Sequence, residues 1–370
     1  MSKASDARLR RLRQAAQLLH RPRGKNDPVD VVRHLVGMQA QVPSSTALGI
    51  RARTKGLVKA DVDRARFEDR SIVWTWAMRG TLHFVVAEDL PWLHPLVVES
   101  SIPNAHRRLV QEGVPAGKHE EAVKEIRRIL KRSAPLTRPQ LAERLRRKEF
   151  RTAGQAIAHL VWLAAAEGVC CYGPELDGEP AFVLMDEWVG PRKPVDREAA
   201  LKELALRYMR SHGPATVEDL VAWSGIKMGD ARRAWAAIED RSKEVEAGGA
   251  PLRMLKSQER EAPPGLVRLL PAFDEYVLGW KDRAFFVSPH HWKKINSGGG
   301  WLHPVVLADG RAEATWSSRW SSRTHDVDLL PFLRLSPTFR TSLSAEVEAV
   351  REFLSRPGRL EGKQRSRMPT

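Results

Sequence analysis

The sequence predicts an α+β, mainly α fold: three tandem winged-helix modules followed by a small antiparallel β-barrel or sheet. Three observations carry that expectation. The chain has 370 residues, more than one hydrophobic core usually organises, so about two to four small domains are expected. A pattern of three helices followed by two short strands recurs along it, as in an array. From Pro264 onward the helical period gives way to short apolar or alternating runs broken by turns, the pattern of antiparallel strands.

The first module covers residues 1–115. Leu9, Leu12, Ala16 and Leu19 fall at helical spacing, with arginines on the other face. A second helix over 29–36 opens at Asp27 and Pro28, a cap and a first-turn proline. Ser44 or Ser45 caps a third that runs towards Arg53, and a short helix follows over 60–67. Residues 72–76 and 81–86 pattern as paired strands turning at Arg79-Gly80, and 91–110 closes the module. The second module, 116–190, has an amphipathic helix over 120–131, a Thr137/Gln140 capping box, an apolar helix over 153–166 stopped by Gly168, and a wing from 169–172 and 180–184. After a linker at 190–194, the third module (195–256) has helices over 197–211, 217–223 (capped by Thr216 and Asp219) and 229–238, then strands within 245–255. A C-terminal β-rich domain over 257–356 holds short runs at 266–270, 276–278, 285–287, 305–307 and 312–316 and a closing helix over 344–355; 357–370 reads as a basic disordered tail.

Composition narrows the function. Lys and Arg number 61 against 45 Asp and Glu, a net charge of +16 that suits a polyanion. Neutralising phosphates releases condensed counterions and gives affinity without sequence information. Membrane surface and RNA attract the same charge. Three tyrosines argue against a stacking platform for single strands, a point that 12 tryptophans weaken, so double-stranded DNA leads as partner. No uncharged apolar run reaches the length of about 18 residues that spans a bilayer, and the arginine-rich N-terminus lacks a secretory signal, so the cytoplasm, at the nucleoid, is the expected location, with no membrane association. A monomer with no obligate protein partner is expected. Cys170 and Cys171, adjacent on an extended segment, read as buried small apolar residues. No phosphate loop, zinc helix or nucleophile elbow is found, and His290, His291 and His303 lack nearby thiols or carboxylates, so neither cofactor nor metal is expected.

One segment stands out. In Leu35-Val36-Gly37-Met38-Gln39-Ala40-Gln41-Val42-Pro43 two uncharged amides flank one small residue at the end of a helix. Taken alone, Gln39 and Gln41 fit helix-end capping and core hydrogen bonding better than chemistry. With three further stretches, Met78-Arg79-Gly80-Thr81-Leu82-His83, Leu269 to Tyr276 (Leu-Leu-Pro-Ala-Phe-Asp-Glu-Tyr) and Asp309-Gly310-Arg311, the segment resembles the Gln-Φ-Gln motif and companion signatures of the AlkZ/YcaQ-type DNA glycosylases. The matches keep the family's order from about residue 35 to 316. One position departs, since Trp74 stands where a basic residue is expected ahead of the Trp76-x-x-Arg-Gly-Thr stretch.

The resemblance implies hydrolysis of the N-glycosidic bond of alkylated purines, crosslinked ones included, in duplex DNA, with Gln39 and Gln41 as the catalytic pair. An amide does not titrate near neutral pH and cannot serve as a Brønsted base. A purine alkylated at N7 or N3 is cationic, however, and leaves as a neutral base without a general acid. Two amides then suffice to orient water and favour the developing positive charge. Lacking a lysine beside the pair, the site implies water attack and an abasic product without strand cleavage.

Arg79, Thr81 and His83 meet a phosphate or hold the first module against the last. His83 as a proton shuttle has no partner in the sequence. Asp274 and Tyr276 are read as support for the C-terminal domain. Arg51, Arg53 and Lys55, and an aromatic-tipped basic hairpin carrying His290, Trp292, Lys293, Lys294 and Trp301, are the candidate DNA contacts. A non-catalytic winged-helix regulator is the alternative, distinguished by base readout and a sharp consensus site.

Overall fold

β-Branched and aromatic residues build the strands that position the site. A computed structural model describes residues 3–21, 27–247, 250–258, 260–320, 325–334 and 337–355; the basic tail expected over 357–370 lies outside them. Six strands form one sheet: β1 (Met38–Gln39), β2 (Ile72–Trp76), β3 (Leu82–Val86), β4 (Leu136–Thr137), β5 (Cys170–Leu176) and β6 (Glu179–Leu184), in the order β1-β3-β2-β5-β6-β4. β7 (Ser242–Ala247) and β8 (Ala250–Leu255) make a separate hairpin. β9 (Val267–Leu270), β10 (Val305–Ala308), β11 (Arg311–Trp320) and β12 (His325–Pro331) form an open antiparallel sheet, so of the two forms expected over 257–356 the described residues adopt the sheet and not the barrel.

The helices follow the apolar periodicity. Helix Lys3–Ala16 and helix Pro28–His34, capped by the Asp27 carboxylate on the Val29 N–H, come where expected. So do Arg138–Arg146 with its Thr137/Gln140 box, Ala156–Ala166 ahead of Gly168, Arg197–His212, Val217–Ser224 with its Thr216/Asp219 box, and Met228–Ala236. Neither Ser44 nor Ser45 caps the third helix. Val42 holds that position and Pro43, preset to helical φ, opens the helix that ends at Arg53. The run at 276–278 is no strand but a one-turn helix, Glu275–Leu278, because the Asp274 carboxylate caps it. Residues 285–287 are likewise turns, packed around Trp280 and Tyr276.

The two hairpins expected as wings are not separate. Trp74 of β2 lies opposite Tyr172 of β5 and stacks on it with ring centroids 4.0 Å apart, so residues 72–86 and 170–184 share one sheet. The N-terminal helix also departs from a solvated arginine face. Arg13 is buried between the rings of Trp280 and Phe285, at 4.5 and 4.2 Å, and donates to the Pro214 carbonyl. Burial brings its guanidinium down to about 10, against the attraction of Asp219. Among the described residues no helix is long and apolar enough to cross a membrane.

Two buried ion-pair systems join the first and last segments. Arg53 donates from Nη1 and Nη2 to the two carboxylate oxygens of Asp274 at 2.8 and 2.9 Å, with both side chains fully buried. The fork needs a close approach, and Gly49 supplies it: a Cβ there would lie 3.2 Å from Asp274 Oδ2 and 2.9 Å from Met38 Cε. Glu346, on the closing helix Pro337–Ser355, receives Arg21, Arg51 and Arg268. Their charges hold its carboxyl below the ordinary range against the opposing effect of burial.

Breaking a buried pair from one side leaves an uncompensated charge, so Arg53→Met is expected to destabilise the fold by about 3–5 kcal/mol in urea unfolding. A loss below about 1 kcal/mol would show that Asp274 finds other donors.

Candidate active site

Helix Pro28–His34 ends at Leu35, and positive φ at Val36 (67°) and Gly37 (137°) turns the chain into extended backbone. The paired glutamines therefore sit on a short strand and the bend after it, rather than at a helix end. Gln39 lies opposite His83 of β3, which lies opposite Thr75 of β2, so the three form a row on one face. Met38, Phe84 and Trp74 form the next row, which packs into the core.

Every backbone polar group of Gln39 and Ala40 is occupied. The Gln39 N–H donates to Glu275 Oε1 at 2.7 Å, and its carbonyl accepts from Thr46 Oγ1 at 2.9 Å. The Ala40 N–H donates to the Leu82 carbonyl at 2.7 Å, and its own carbonyl accepts from Trp74 Nε1 at 3.0 Å. That last bond accounts for the departure at position 74: the indole supplies an N–H where a basic side chain was expected. Gln39 is buried, and Gln41, in the bend that follows the strand, is exposed.

Arg79 fixes the Gln39 amide. Its Nη2 donates to Gln39 Oε1 at 2.7 Å. Arginine has only donors, so the amide oxygen faces Arg79 and Nε2 faces away, by assignment from the network. Arg79 itself stands at φ 56° in the turn between β2 and β3, and its Nη1 donates to the Trp223 carbonyl. The turn accepts the end of helix Val217–Ser224 only because residue 225 is glycine; a Cβ there would stand 3.1 Å from the Arg79 nitrogen. Trp223 Nε1 donates to Glu275 Oε2 at 2.9 Å, which closes a ring of contacts through Arg79, Gln39, Glu275 and Trp223.

Burial governs the electrostatics of this ring. It lowers the Arg79 guanidinium, against the attraction of Glu275, and raises the Glu275 carboxyl, against the N–H groups of Trp223 and Gln39 and the charge of Arg79. His83, fully buried beside Arg79, is brought down to about 3 by burial first and Arg79 second, against its bond to the Thr81 carbonyl at 2.9 Å. Its Nδ1 is then the donor and Nε2 a bare lone pair. Neither that atom nor Thr75 Oγ1 has a hydrogen-bond partner among the described residues. A ring held neutral to that degree does not shuttle protons to solvent near pH 7.

The other expected residues divide. Thr81 is half-buried and bonds the Met78 carbonyl. Asp274 holds Arg53, and Tyr276 donates to the Gly310 carbonyl at 3.2 Å, which joins two of the quoted signatures. Arg51 and Arg53 are not placed to meet a phosphate: both are buried, one on Glu346 and the other on Asp274. Lys55 is exposed. The expected hairpin is a helix, Pro289–Ile295, capped by Ser288 and followed by a glycine loop closed by a bridge between Asn296 and Leu302. His290, Lys293 and Lys294 are exposed on that helix, and Trp292 lies under the Arg283 guanidinium at 4.7 Å. Trp301, 44% exposed, packs edge-on against Phe273 at 5.1 Å, beside the Asp274-Glu275 pair.

A family model described as "DNA glycosylase AlkZ-like" matches residues 32–353. The chain belongs to the AlkZ-like DNA glycosylase family. It is 30% identical over 327 residues to a curated Streptomyces sahachiroi protein described as an interstrand DNA cross-link repair glycosylase, covering 80% of this chain and 83% of that protein. The solved structure of the Streptomyces sahachiroi DNA glycosylase AlkZ superposes with a TM-score of 0.80 at 26% identity, over 95% of this chain and 97% of that one. Membership accounts for the ordered signatures. It does not by itself assign roles to Glu275, Trp223 or Gly225, which sequence reasoning passed over. Glu275 had a signal, an acidic pair inside an apolar stretch; Trp223 and Gly225 had none.

His83 binds no proton in the fold until well below its ordinary range, whereas the unfolded chain takes one up near 6.5. Its contribution to stability is therefore complete above about pH 6.5 and is lost as pH falls towards 3. The ring is expected to keep the neutral, Nδ1-protonated 15N shift pattern at pH 5; a midpoint near 6.5 would contradict its burial.

Proposed function

We propose that the chain is a monofunctional DNA glycosylase that hydrolyses the N-glycosidic bond of cationic alkylated purines in double-stranded DNA, bulky adducts and interstrand crosslinks included. The observation that carries this reading is the fixed Gln39, whose amide oxygen accepts from Arg79 and whose backbone N–H donates to Glu275. The crosslink as substrate follows the description of the Streptomyces sahachiroi relative.

In this reading the C1′–N bond breaks with its electron pair going to the purine, which leaves neutral because it entered cationic. Water attacks C1′ and releases its proton to solvent. The second lone pair of Gln39 Oε1 and the amide of the exposed Gln41 orient that water, which is positional and electrostatic catalysis. An unmodified purine would depart as an anion and finds no general acid, so it is spared.

DNA reaches the site over a face that includes Lys55, His290, Lys293 and Lys294. Trp301 and Trp292 are wedge or stacking elements beside it, with Trp301 tied to the site through Phe273. Three winged-helix units, 1–115, 116–190 and 195–256, with the β-rich 257–356, carry this face on a monomer working at the nucleoid without a metal, a cofactor or an obligate partner.

The decisive measurement is single-turnover release of 7-methylguanine from alkylated duplex DNA. Gln39→Ala and Gln41→Ala are each expected to slow it by about 100-fold or more while DNA binding is retained. No release by the wild type, on this substrate or on a crosslinked one, would make a winged-helix regulator the better account. Release is expected to survive EDTA; its loss on chelation would sink the metal-free mechanism.

A further inference from the structure

An arginine next to the reacting centre is an obstacle for this chemistry. The sugar gains positive charge as the base departs, and Arg79 places a guanidinium 2.7 Å from the amide that is to orient the attacking water. Arg283 adds a second positive charge close enough to lower the Arg79 guanidinium further. The approach of DNA supplies negative phosphates, but in solvent, where they are screened. A buried site needs its compensating charge inside.

Glu275 is that charge. It is fully buried, and both of its oxygens are occupied by neutral donors rather than by a salt-bridge partner: Oε1 by the Gln39 N–H and Oε2 by Trp223 Nε1. Asp274 beside it is paired with Arg53; its charge raises the Glu275 carboxyl, and the charges that act on Arg79 are those of Glu275 and Arg283. His83 is neutral, and His212, packed against Trp223, is kept neutral by burial as well. We propose that Glu275 is a positioning residue that holds the Gln39 strand in register and, as a carboxylate, offsets Arg79 so that positive charge can develop on the sugar beside Gln39. The proposal rests on the glycosylase reading above and extends it to a residue outside the paired glutamines.

A residue that only held the fold together would behave differently from one that supplies charge. Removing the charge by Glu275→Gln leaves one carbonyl oxygen for the Gln39 N–H but lets Arg79 act unopposed. Base release is then expected to fall by about 10- to 100-fold, the effect of one unit charge a few ångströms away in a partly polar interior. DNA affinity should stay level or tighten, because the site has gained net positive charge. Activity of the wild type should also fall on the acid side as Glu275 takes up a proton. Burial places that fall above the ordinary carboxylate range; among the described groups that face Glu275, Arg79 and Arg283 stay charged, His83 and His212 are neutral, and the Asp274 carboxylate is bonded by Arg53.

The experiment is single-turnover release of 7-methylguanine from a duplex between pH 4.5 and 8, with DNA affinity and thermal melting measured alongside, for the wild type, Glu275→Gln and Trp223→Phe. Expected are a slow Glu275→Gln enzyme with undiminished DNA affinity and no acid limb, and a Trp223→Phe enzyme whose acid limb moves up by about one pH unit because one hydrogen bond to the carboxylate is gone. A Glu275→Gln rate within about threefold of the wild type overturns the proposal, as does a loss of rate and DNA binding together. Should Glu275→Gln fail to fold, the Trp223→Phe limb decides: a shift supports the charge, and a limb that stays put overturns it. A wild type that releases no base at any pH defeats the glycosylase reading itself, a different result from an active wild type indifferent to Glu275.

Discussion

The fully buried pair between Arg53 and Asp274 sets the position of everything that follows in the site. Two consecutive carboxylates reach into the interior and divide the contacts between them. Asp274 binds the end of helix Pro43–Arg53, while Glu275 meets the Gln39 strand and Trp223. A shift of one residue would exchange them and leave both charges without their partners. Such a pair costs much of its own attraction in lost hydration. Its value here is register, since it fixes the C-terminal segment against the first helices within hydrogen-bond tolerance. Gly49 permits the approach, and Gly225 does the same on the other side of Arg79.

The basic composition turns out to serve two purposes. Part of it stays on the surface, where a polyanion can use it. Another part is structural: Arg13 lies between two aromatic rings, Arg21, Arg51 and Arg268 converge on Glu346, Arg53 is interior, and half-buried Arg79 bonds Gln39 and Trp223. Guanidinium is weakly hydrated, planar and rich in donors, so it can be buried against carbonyls and rings where lysine would be costly. Net charge read from a sequence cannot separate these populations, which is why Arg51 and Arg53 looked like phosphate contacts.

Much of the architecture was legible in local chemistry. Capping boxes at Thr137 and Thr216, the stop at Gly168 and the turn at Arg79-Gly80 are decided within a few residues, and the structure follows them. The paired glutamines were legible through resemblance. What stayed hidden is what depends on distant partners. The run 276–278 carried a strand-like composition, yet a carboxylate two residues before it made it helical. β12 and the merging of two hairpins into one sheet depend on cross-strand neighbours that no local window contains. Trp74 looked like a lost contact, and only the fold reveals that its indole N–H bonds the carbonyl between the two glutamines.

The shared sheet has a consequence for how the protein is made. β2 receives one neighbour, β3, almost at once, but its other edge waits for Tyr172. The Gln39 N–H waits longer still, 236 residues, for Glu275. During synthesis the N-terminal third therefore emerges with an aromatic strand edge bare and its buried arginines without their acids. Domains usually fold as they leave the ribosome; here the N-terminal segment is finished by the C-terminal one. An unfinished or truncated chain that lacks Glu275 and Glu346 leaves the Gln39 N–H and the Arg51 guanidinium without their partners, so the ring of contacts around Gln39 closes only late in synthesis.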